Sequence, residues 1–308
     1  MAENSFNNDI EKRRYKKQMN IKDIIQQKIL VIDGAMGTFL QRESLSVADW
    51  GGEAFFGCSE NLVFTRPDIV TKVHESYLEV GADVVETNTF GATSIVLDDY
   101  GLADKVREVN LKAVELAKAA VAKFSTPEKP RFVAGICGPT TKSLAVTGGI
   151  TFDEMSDAYY EQCLALVEGG VDYILLETAM DSLNLKAAYV GAKKAFDKHQ
   201  KELPVAISVT IEQSGGMLSG QGIKALYASF QHINPLYIGM NCALGPELMA
   251  AHLEVLASIS KFPVAIVPNA GIPDSYGKYP LTPESFAKEI EIFVKKDLLN
   301  IVGGCCGT

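Results

Sequence analysis

Short runs of apolar, mostly β-branched residues recur along the whole chain, each followed by a turn-rich segment and then a helical pattern. Their apolarity is continuous, which is typical of strands buried on both faces of a parallel sheet. Between them, segments such as residues 104–124 repeat apolar residues at steps of three and four, as amphipathic helices do. We predict eight strands, at residues 28–33, 82–87, 131–136, 171–178, 204–210, 236–241, 263–269 and 299–304.

This alternation of strands and helices predicts the fold class. Eight such units within residues 22–308 are typical of an α/β protein with a single (β/α)8 TIM barrel. A doubly wound open sheet is the alternative, although it usually needs fewer strands for this length. Capping signals support the helices, since Thr151 precedes Glu154 by three residues and Pro283 lies in a predicted first turn. We predict one domain over residues 22–308, after a charged N-terminal tail over residues 1–21.

Charge and hydropathy narrow the functional classes. The chain has 29 Lys and Arg against 38 Asp and Glu, and this net charge of -9 argues against nucleic acid as a partner. No apolar run approaches the roughly 20 residues of a membrane span, and the N-terminus lacks the apolar segment of a secretory signal. We therefore expect a cytoplasmic protein with no membrane partner. Its six cysteines then indicate metal binding, catalysis or burial before disulfides.

Three of these cysteines follow predicted strands two apart around the barrel, at the end where active sites lie, and could therefore reach one small ion. Cys242 follows the sixth strand, and Cys305 and Cys306 follow the eighth. Three thiolates with a fourth position left open are a ligand set of catalytic zinc, and thiolates favour zinc over magnesium or calcium. The neighbouring glycines would let two consecutive residues face one ion. The alternative is that all three are buried free cysteines, which are common in cores.

The remaining three cysteines, His74 and Glu75 are predicted to lie outside the site. Cys163 lies on an apolar helix face and Cys137 follows the third strand, so we expect both to be buried free thiols. Cys58 is interpreted as a loop thiol without a role in the site. His74 and Glu75 lie inside a helical pattern, and we expect both on the helix surface.

Beyond these patterns, the segments after the strands resemble the zinc-dependent homocysteine S-methyltransferases. The resemblance covers about residues 30–308 and rests on DGAMGT, TRPDIV, ETNTFGATS, LSGQ, NCALGP, PNAG and LNIVGGCCGT. Within this family the chain looks most like the N-terminal homocysteine-binding module of cobalamin-dependent methionine synthases. The resemblance implies a methyltransferase in which Cys242, Cys305 and Cys306 bind zinc. The zinc-bound homocysteine thiolate would then attack a methyl donor to give methionine.

The resemblance also implies a substrate site over the strand ends. Asp33 and Glu177 match carboxylates that hold the ammonium group of homocysteine; the alternative is a structural role beside a neighbouring helix or loop. Asn269 matches a residue that can be the fourth zinc ligand when homocysteine is absent. The other residues expected to line the substrate are Gly34, Ala35, Thr87, Asn88 and Thr89.

The resemblance also bears on the methyl donor. The resemblance favours methylcobalamin carried on another module or protein, with cobalamin-binding and folate-binding modules or subunits as partners. The chain lacks the Asp-x-His-x-x-Gly loop of cobalamin modules. The segment most similar to that motif is residues 197–202, where Glu202 stands in place of the glycine. Ending at CCGT, where relatives usually continue, favours a piece of a longer enzyme. The alternatives are a stand-alone methyltransferase using S-methylmethionine, betaine or a separate corrinoid protein, and a non-catalytic metal-binding barrel subunit.

Overall fold

A computed structural model describes residues 20–308 of the chain. Its eight strands are parallel and form one sheet in the order β1-β8-β7-β6-β5-β4-β3-β2. From β1 to β8 they are Leu30–Val31, Val84–Glu86, Phe132–Cys137, Tyr173–Ala179, Val205–Val209, Ile238–Asn241, Val264–Val267 and Ile301–Val302. A parallel bridge between Ile32 and Val84 joins β1 to β2 and closes the ring. The predicted (β/α)8 barrel is confirmed, and the open sheet is excluded.

Helices connect the strands on the outside of the barrel. In the described part of the chain, α1 to α12 are Ile21–Ile24, Met36–Arg42, Val47–Trp50, Leu62–Thr65, Pro67–Glu79, Ser94–Asp98, Val106–Phe124, Phe152–Gly169, Ser182–His199, Ile223–Phe230, Pro246–Ile259 and Pro283–Lys295. The predicted capping signals are confirmed. Thr151 and Glu154 form a capping box at α8, and Pro283 is the first residue of α12.

The N-terminal tail predicted over residues 1–21 lies outside the described residues except for its last two positions. Asn20 caps α1 by accepting a hydrogen bond from the backbone N–H of Asp23 at 3.1 Å, and Ile21 is already a buried residue of that helix. None of the helices described in residues 20–308 is both long enough and apolar enough to cross a membrane.

The barrel interior is apolar at its base and polar at the carboxyl ends of the strands. Alternate strand residues form an apolar cluster that includes Val84, Phe132, Ala134, Tyr173, Leu175, Tyr237, Ala265 and Val267. Because side chains two apart on a strand share a face, Glu86 follows Val84 into the interior and Glu177 follows Leu175. A larger cluster fills the layer between the sheet and the helices. The polar end of the interior is therefore where a site can form.

The expectation that His74 lies on the helix surface is wrong. Its side chain is fully buried in α5, on the same stripe as Val70 and Leu78, which lie four residues away on either side. Burial lowers the pKa of His74 to about 4, so the imidazole is neutral at pH 7. Glu75 is half-buried and forms a salt bridge with Lys123.

The structural assignments of the remaining cysteines agree with the structure. Cys137 is the last residue of β3 and Cys163 lies in α8; both are buried, and their Sγ atoms are 3.6 Å apart. Cys58 is a free thiol in the loop before a 3-10 turn at Ser59–Asn61, and it is fully buried there. These three thiols lie apart from the other group of cysteines, at the ends of β6 and β8.

Candidate metal and substrate site

Three cysteines meet at the carboxyl end of the barrel, as their places after β6 and β8 predict. The Sγ atom of Cys306 lies 4.0 Å from that of Cys242 and 4.0 Å from that of Cys305. All three sulfurs lie within 4.8 Å of one another, and all three side chains are partly exposed. The fold thus brings Cys242 together with two adjacent cysteines that lie 63 and 64 positions later in the chain.

This sulfur cluster fits a zinc ion. Zinc–sulfur bonds of about 2.3 Å at tetrahedral angles separate two ligand sulfurs by about 3.8 Å. The two sulfur–sulfur distances of 4.0 Å therefore need only a small adjustment. The donor set also suits zinc, because soft thiolates bind it in preference to magnesium or calcium. Cys242, Cys305 and Cys306 would hold the metal, with the neighbouring cavity beside it.

The end of β6 places Cys242 through an uncommon backbone conformation. Cys242 and Ala243 have φ values of 62° and 59°, in the left-handed region that non-glycine residues avoid at a cost of about 1–2 kcal/mol each. A hydrogen bond from Cys242 N–H to the Val267 carbonyl, 3.1 Å long, holds the turn against β7. Such strain concentrates at functional sites, where surrounding contacts maintain it.

The loop after β8 is held by hydrogen bonds to the residues that follow β7. Cys305 N–H donates to the Pro268 carbonyl at 2.8 Å, and Cys306 N–H donates to Oδ1 of Asn269 at 3.0 Å. Gly307 follows with a φ of 86°, a conformation that side chains rarely adopt. The glycine thus permits the turn that presents two consecutive cysteines, as the sequence predicts. Asn269 is buried and holds this loop through its side-chain oxygen.

The three thiols shift one another's pKa values. Hydrogen bonds with the thiols of Cys242 and Cys305 lower the pKa of Cys306 to about 3. Hydrogen bonds with the same two neighbours, together with burial, raise the pKa of Cys305. One sulfur therefore ionises readily while its neighbours retain protons, and full ionisation of the cluster needs a cation to offset the repulsion.

A cavity of about 250 Å³ opens beside the cysteines. The predicted substrate residues found on its wall are Asp33, Gly34, Ala35, Thr87, Asn88 and Glu177. Two predicted residues lie behind the wall. Thr89 is fully buried and donates a hydrogen bond to the Ile136 carbonyl at 2.8 Å, and Asn269 holds the cysteine loop.

Carboxylates from three strands converge on the same cavity. Asp33 after β1, Glu86 at the end of β2 and Glu177 in β4 all line it. Burial raises the pKa of each, and the charge of Cys242 adds to the effect at Glu177, whose pKa reaches about 8. Asp33 and Glu177 are buried and Glu86 is half-buried with its Oε1 atom buried. Carboxylates so placed and close together favour a bound cation, because each ionised form lacks water and repels the others.

Two residues of this site, Glu86 and Asn241, were not predicted from the sequence. Glu86 stands within the quoted segment ETNTFGATS, and its spacing of two from the inward-facing Val84 was an available signal. Asn241, directly before Cys242, is fully buried at the end of β6. Its side chain bonds to Thr178, which has an uncommon φ of 54° and lines the cavity. No local pattern indicated that pairing.

Comparisons with known proteins show what the chain is similar to. The family model described as homocysteine S-methyltransferase matches residues 30–308. The methionine synthases of Mycobacterium tuberculosis (strain ATCC 25618 / H37Rv) and Mycobacterium leprae (strain TN) are each 40% identical over 289 residues, or 93% of this chain and 24% of theirs. The chain thus spans about a quarter of the length of these curated relatives.

Solved structures share the barrel. The metallated form of the homocysteine methyltransferase MmuM from Escherichia coli aligns with a TM-score of 0.72 and 22% identity, covering 92% of this chain and 94% of that chain. Its apo form aligns with a TM-score of 0.67 and 20% identity, covering 92% and 93%. At these identities the likeness shows that the two chains have the same fold.

Proposed function

The chain belongs to the homocysteine S-methyltransferase family, and we propose that its barrel binds homocysteine and activates the thiol at a zinc ion for methyl transfer. Cys242, Cys305 and Cys306 are the proposed zinc ligands. Asp33 and Glu177 are the proposed acceptors for the substrate ammonium group. Gly34, Ala35, Thr87, Asn88 and Thr89 form or support the wall around the substrate, and Asn269 is the proposed fourth ligand without substrate.

One observation carries this proposal: the three cysteine sulfurs and the buried carboxylates open onto the same cavity of about 250 Å³. Homocysteine carries a thiol at one end and an ammonium group near the other. A thiol-binding metal and a cluster of carboxylates in one small cavity match these two groups.

The proposed chemistry is nucleophilic methyl transfer. Cys242, Cys305 and Cys306 would hold the zinc, which would lower the pKa of a bound substrate thiol so that its proton is lost to solvent. The charges of the three cysteinates would offset that of the metal and leave the substrate sulfur electron-rich. The sulfur electron pair forms the new bond to the methyl carbon, and the bond between methyl and carrier breaks with its electrons leaving on the carrier. The carboxylates hold the amino acid so that its thiol reaches the cysteine cluster.

For the methyl donor we propose methylcobalamin, held by another module or protein. The support is the 40% identity to two methionine synthases of which this chain spans 24%. Cobalamin-binding and folate-binding modules or subunits are then the proposed partners, and the cytoplasm is the proposed location. S-methylmethionine, betaine or a separate corrinoid protein remain the alternative donors.

Incubation of the zinc-loaded chain with homocysteine and one donor at a time tests the proposal. We expect methionine to form with free methylcobalamin and not with S-methylmethionine or betaine. Methionine formed from S-methylmethionine or betaine would overturn the assignment of methylcobalamin as the donor. In a cobalt-substituted sample, homocysteine should change the thiolate-to-metal absorption bands. A spectrum that does not change when homocysteine is added would instead support a non-catalytic metal-binding subunit.

A further inference from the structure

We propose that Glu86 is a third acceptor for the ammonium group of the substrate, and that the cavity thereby selects an unsubstituted primary ammonium. The inference rests on the proposed function and assigns a specificity-determining residue to the same site. The carboxylates of Asp33, Glu86 and Glu177 all line the cavity, and one buried oxygen of Asp33 and one of Glu86 have no hydrogen-bond partner in residues 20–308.

The orientation of Asp33 leaves one oxygen free. Its Oδ2 accepts a hydrogen bond of 3.0 Å from the backbone N–H of Glu86, which ties the end of β1 to β2. Its Oδ1 is buried, and among residues 20–308 it has no hydrogen-bond partner. The whole Asp33 side chain is only 6% exposed, so water can satisfy this oxygen poorly.

Glu86 presents the second unpaired oxygen. Its Oε1 is also buried without a partner in the described part of the chain. No salt bridge within 4.0 Å in residues 20–308 involves Glu86, Asp33 or Glu177. A carboxylate with a purely structural role is normally paired when buried, whereas these three face a cavity without a cationic side chain from the described residues beside them.

The number of acceptors matches the number of donors. An alkyl ammonium group has three N–H donors, and the three carboxylates offer one acceptor each from β1, β2 and β4. A cation among them offsets the mutual repulsion that, together with burial, raises the pKa of Asp33 and Glu86. An N-acylated ligand is uncharged at nitrogen and keeps one N–H donor, and an N-trimethylated ligand has no N–H donor, so we expect the site to reject both.

The variant Glu86→Gln tests this assignment because it keeps the shape of the side chain and removes its charge. Binding of homocysteine to the zinc-loaded chain is compared by calorimetry with binding of 4-sulfanylbutanoate, which is homocysteine without its amino group. We expect the Kd of homocysteine to rise about tenfold or more, while that of 4-sulfanylbutanoate stays within about twofold. Zinc content should remain that of the unsubstituted chain.

Glu60→Gln is the matched control. Glu60 is a buried carboxylate near the cavity, but its Oε1 accepts the backbone N–H of Gly91 at 2.6 Å. Its replacement should not discriminate between the two ligands. An equal loss of affinity for both ligands in Glu86→Gln, or an unchanged affinity for homocysteine, would overturn the assignment of Glu86. If the unsubstituted chain bound the deaminated thiol but not homocysteine, the carboxylate site would be wrong; if it bound neither, the proposed function itself would fail.

Discussion

The side chain of Asn241 donates a hydrogen bond of 2.6 Å from Nδ2 to Oγ1 of Thr178. Thr178 N–H returns a bond of 3.2 Å to Oδ1 of Asn241, so the two residues are joined twice. Thr178 follows Glu177, and Asn241 precedes Cys242. One amide therefore connects a carboxylate of the proposed ammonium site to a proposed metal ligand, and supports the left-handed conformation of both Thr178 and Cys242.

Replacement of Asn241 by Ala should weaken both halves of the site. Loss of these buried hydrogen bonds costs about 1–3 kcal/mol and releases two strained positions. We expect zinc affinity, measured by chelator competition, and homocysteine affinity each to fall about tenfold or more. Asn184→Ala is the control, because Asn184 also uses its amide to hold a loop, at Lys142 and Leu144. Equal effects of both substitutions on zinc would contradict the link.

Replacement of Cys306 by Ala should remove tight zinc binding. Two remaining thiols form an incomplete ligand set, and we expect affinity to fall by more than the 10–100-fold that changes around the ligands usually cause. Metal analysis after gel filtration measures the loss, with methionine formation as a second readout. Cys163→Ala controls for removal of a buried thiol, since Cys163 lies in α8 outside the cluster. Full zinc content in Cys306→Ala would refute the assigned ligand set.

Gly307→Ala should damage the metal site through steric overlap as well as backbone conformation. An added Cβ would lie 2.7 Å from the Cβ of Tyr279, and the φ of 86° disfavours any side chain. Gly148→Ala separates the two effects, because Gly148 also has a positive φ, 64°, but no atom within 4 Å of an added Cβ.

In a denaturant titration, the control should lose about 1–2 kcal/mol of unfolding free energy, whereas Gly307→Ala should lose more and also bind zinc more weakly. Identical losses in the two variants, with zinc binding intact, would show that the contact with Tyr279 does not matter.

His74 should make the fold sensitive to acid. Its pKa is about 4 in the folded chain, against an ordinary value of 6.5, so the unfolded chain binds the proton more readily. The part of the unfolding free energy that depends on a neutral His74 is fully present above about pH 6.5. It decreases by about 3 kcal/mol as the pH falls toward 4. The raised pKa values of Asp33 and Glu86 act in the opposite direction, since their contribution is lost as the pH rises.

The comparison that isolates His74 is therefore between the chain and its His74→Leu variant. We expect the unfolding free energy of the original chain to fall more steeply between pH 6.5 and 4, and the variant to lack that part of the slope. Parallel pH profiles for the two proteins would show that His74 does not titrate as proposed.

The sequence by itself determined the barrel and the position of the cysteine cluster. Continuous apolar runs and helical stripes are local properties of the chain, and each predicted strand overlaps an observed one. Once eight parallel strands are predicted, all their carboxyl ends lie at one end of the barrel. Cys242, Cys305 and Cys306 could therefore be placed together, and the family resemblance supplied their proposed role.

Only the tertiary structure decided which side chains meet inside that end. The pairing of Asn241 in β6 with Thr178 in β4, across β5, and the approach of Glu86 to Asp33 depend on how the strands are staggered when the ring closes. His74 was misplaced because a polar side chain on a helix was expected to face water, whereas packing of α5 against β2 and α7 buried it. Local patterns determine elements; contacts between distant residues are set by the closure of the barrel.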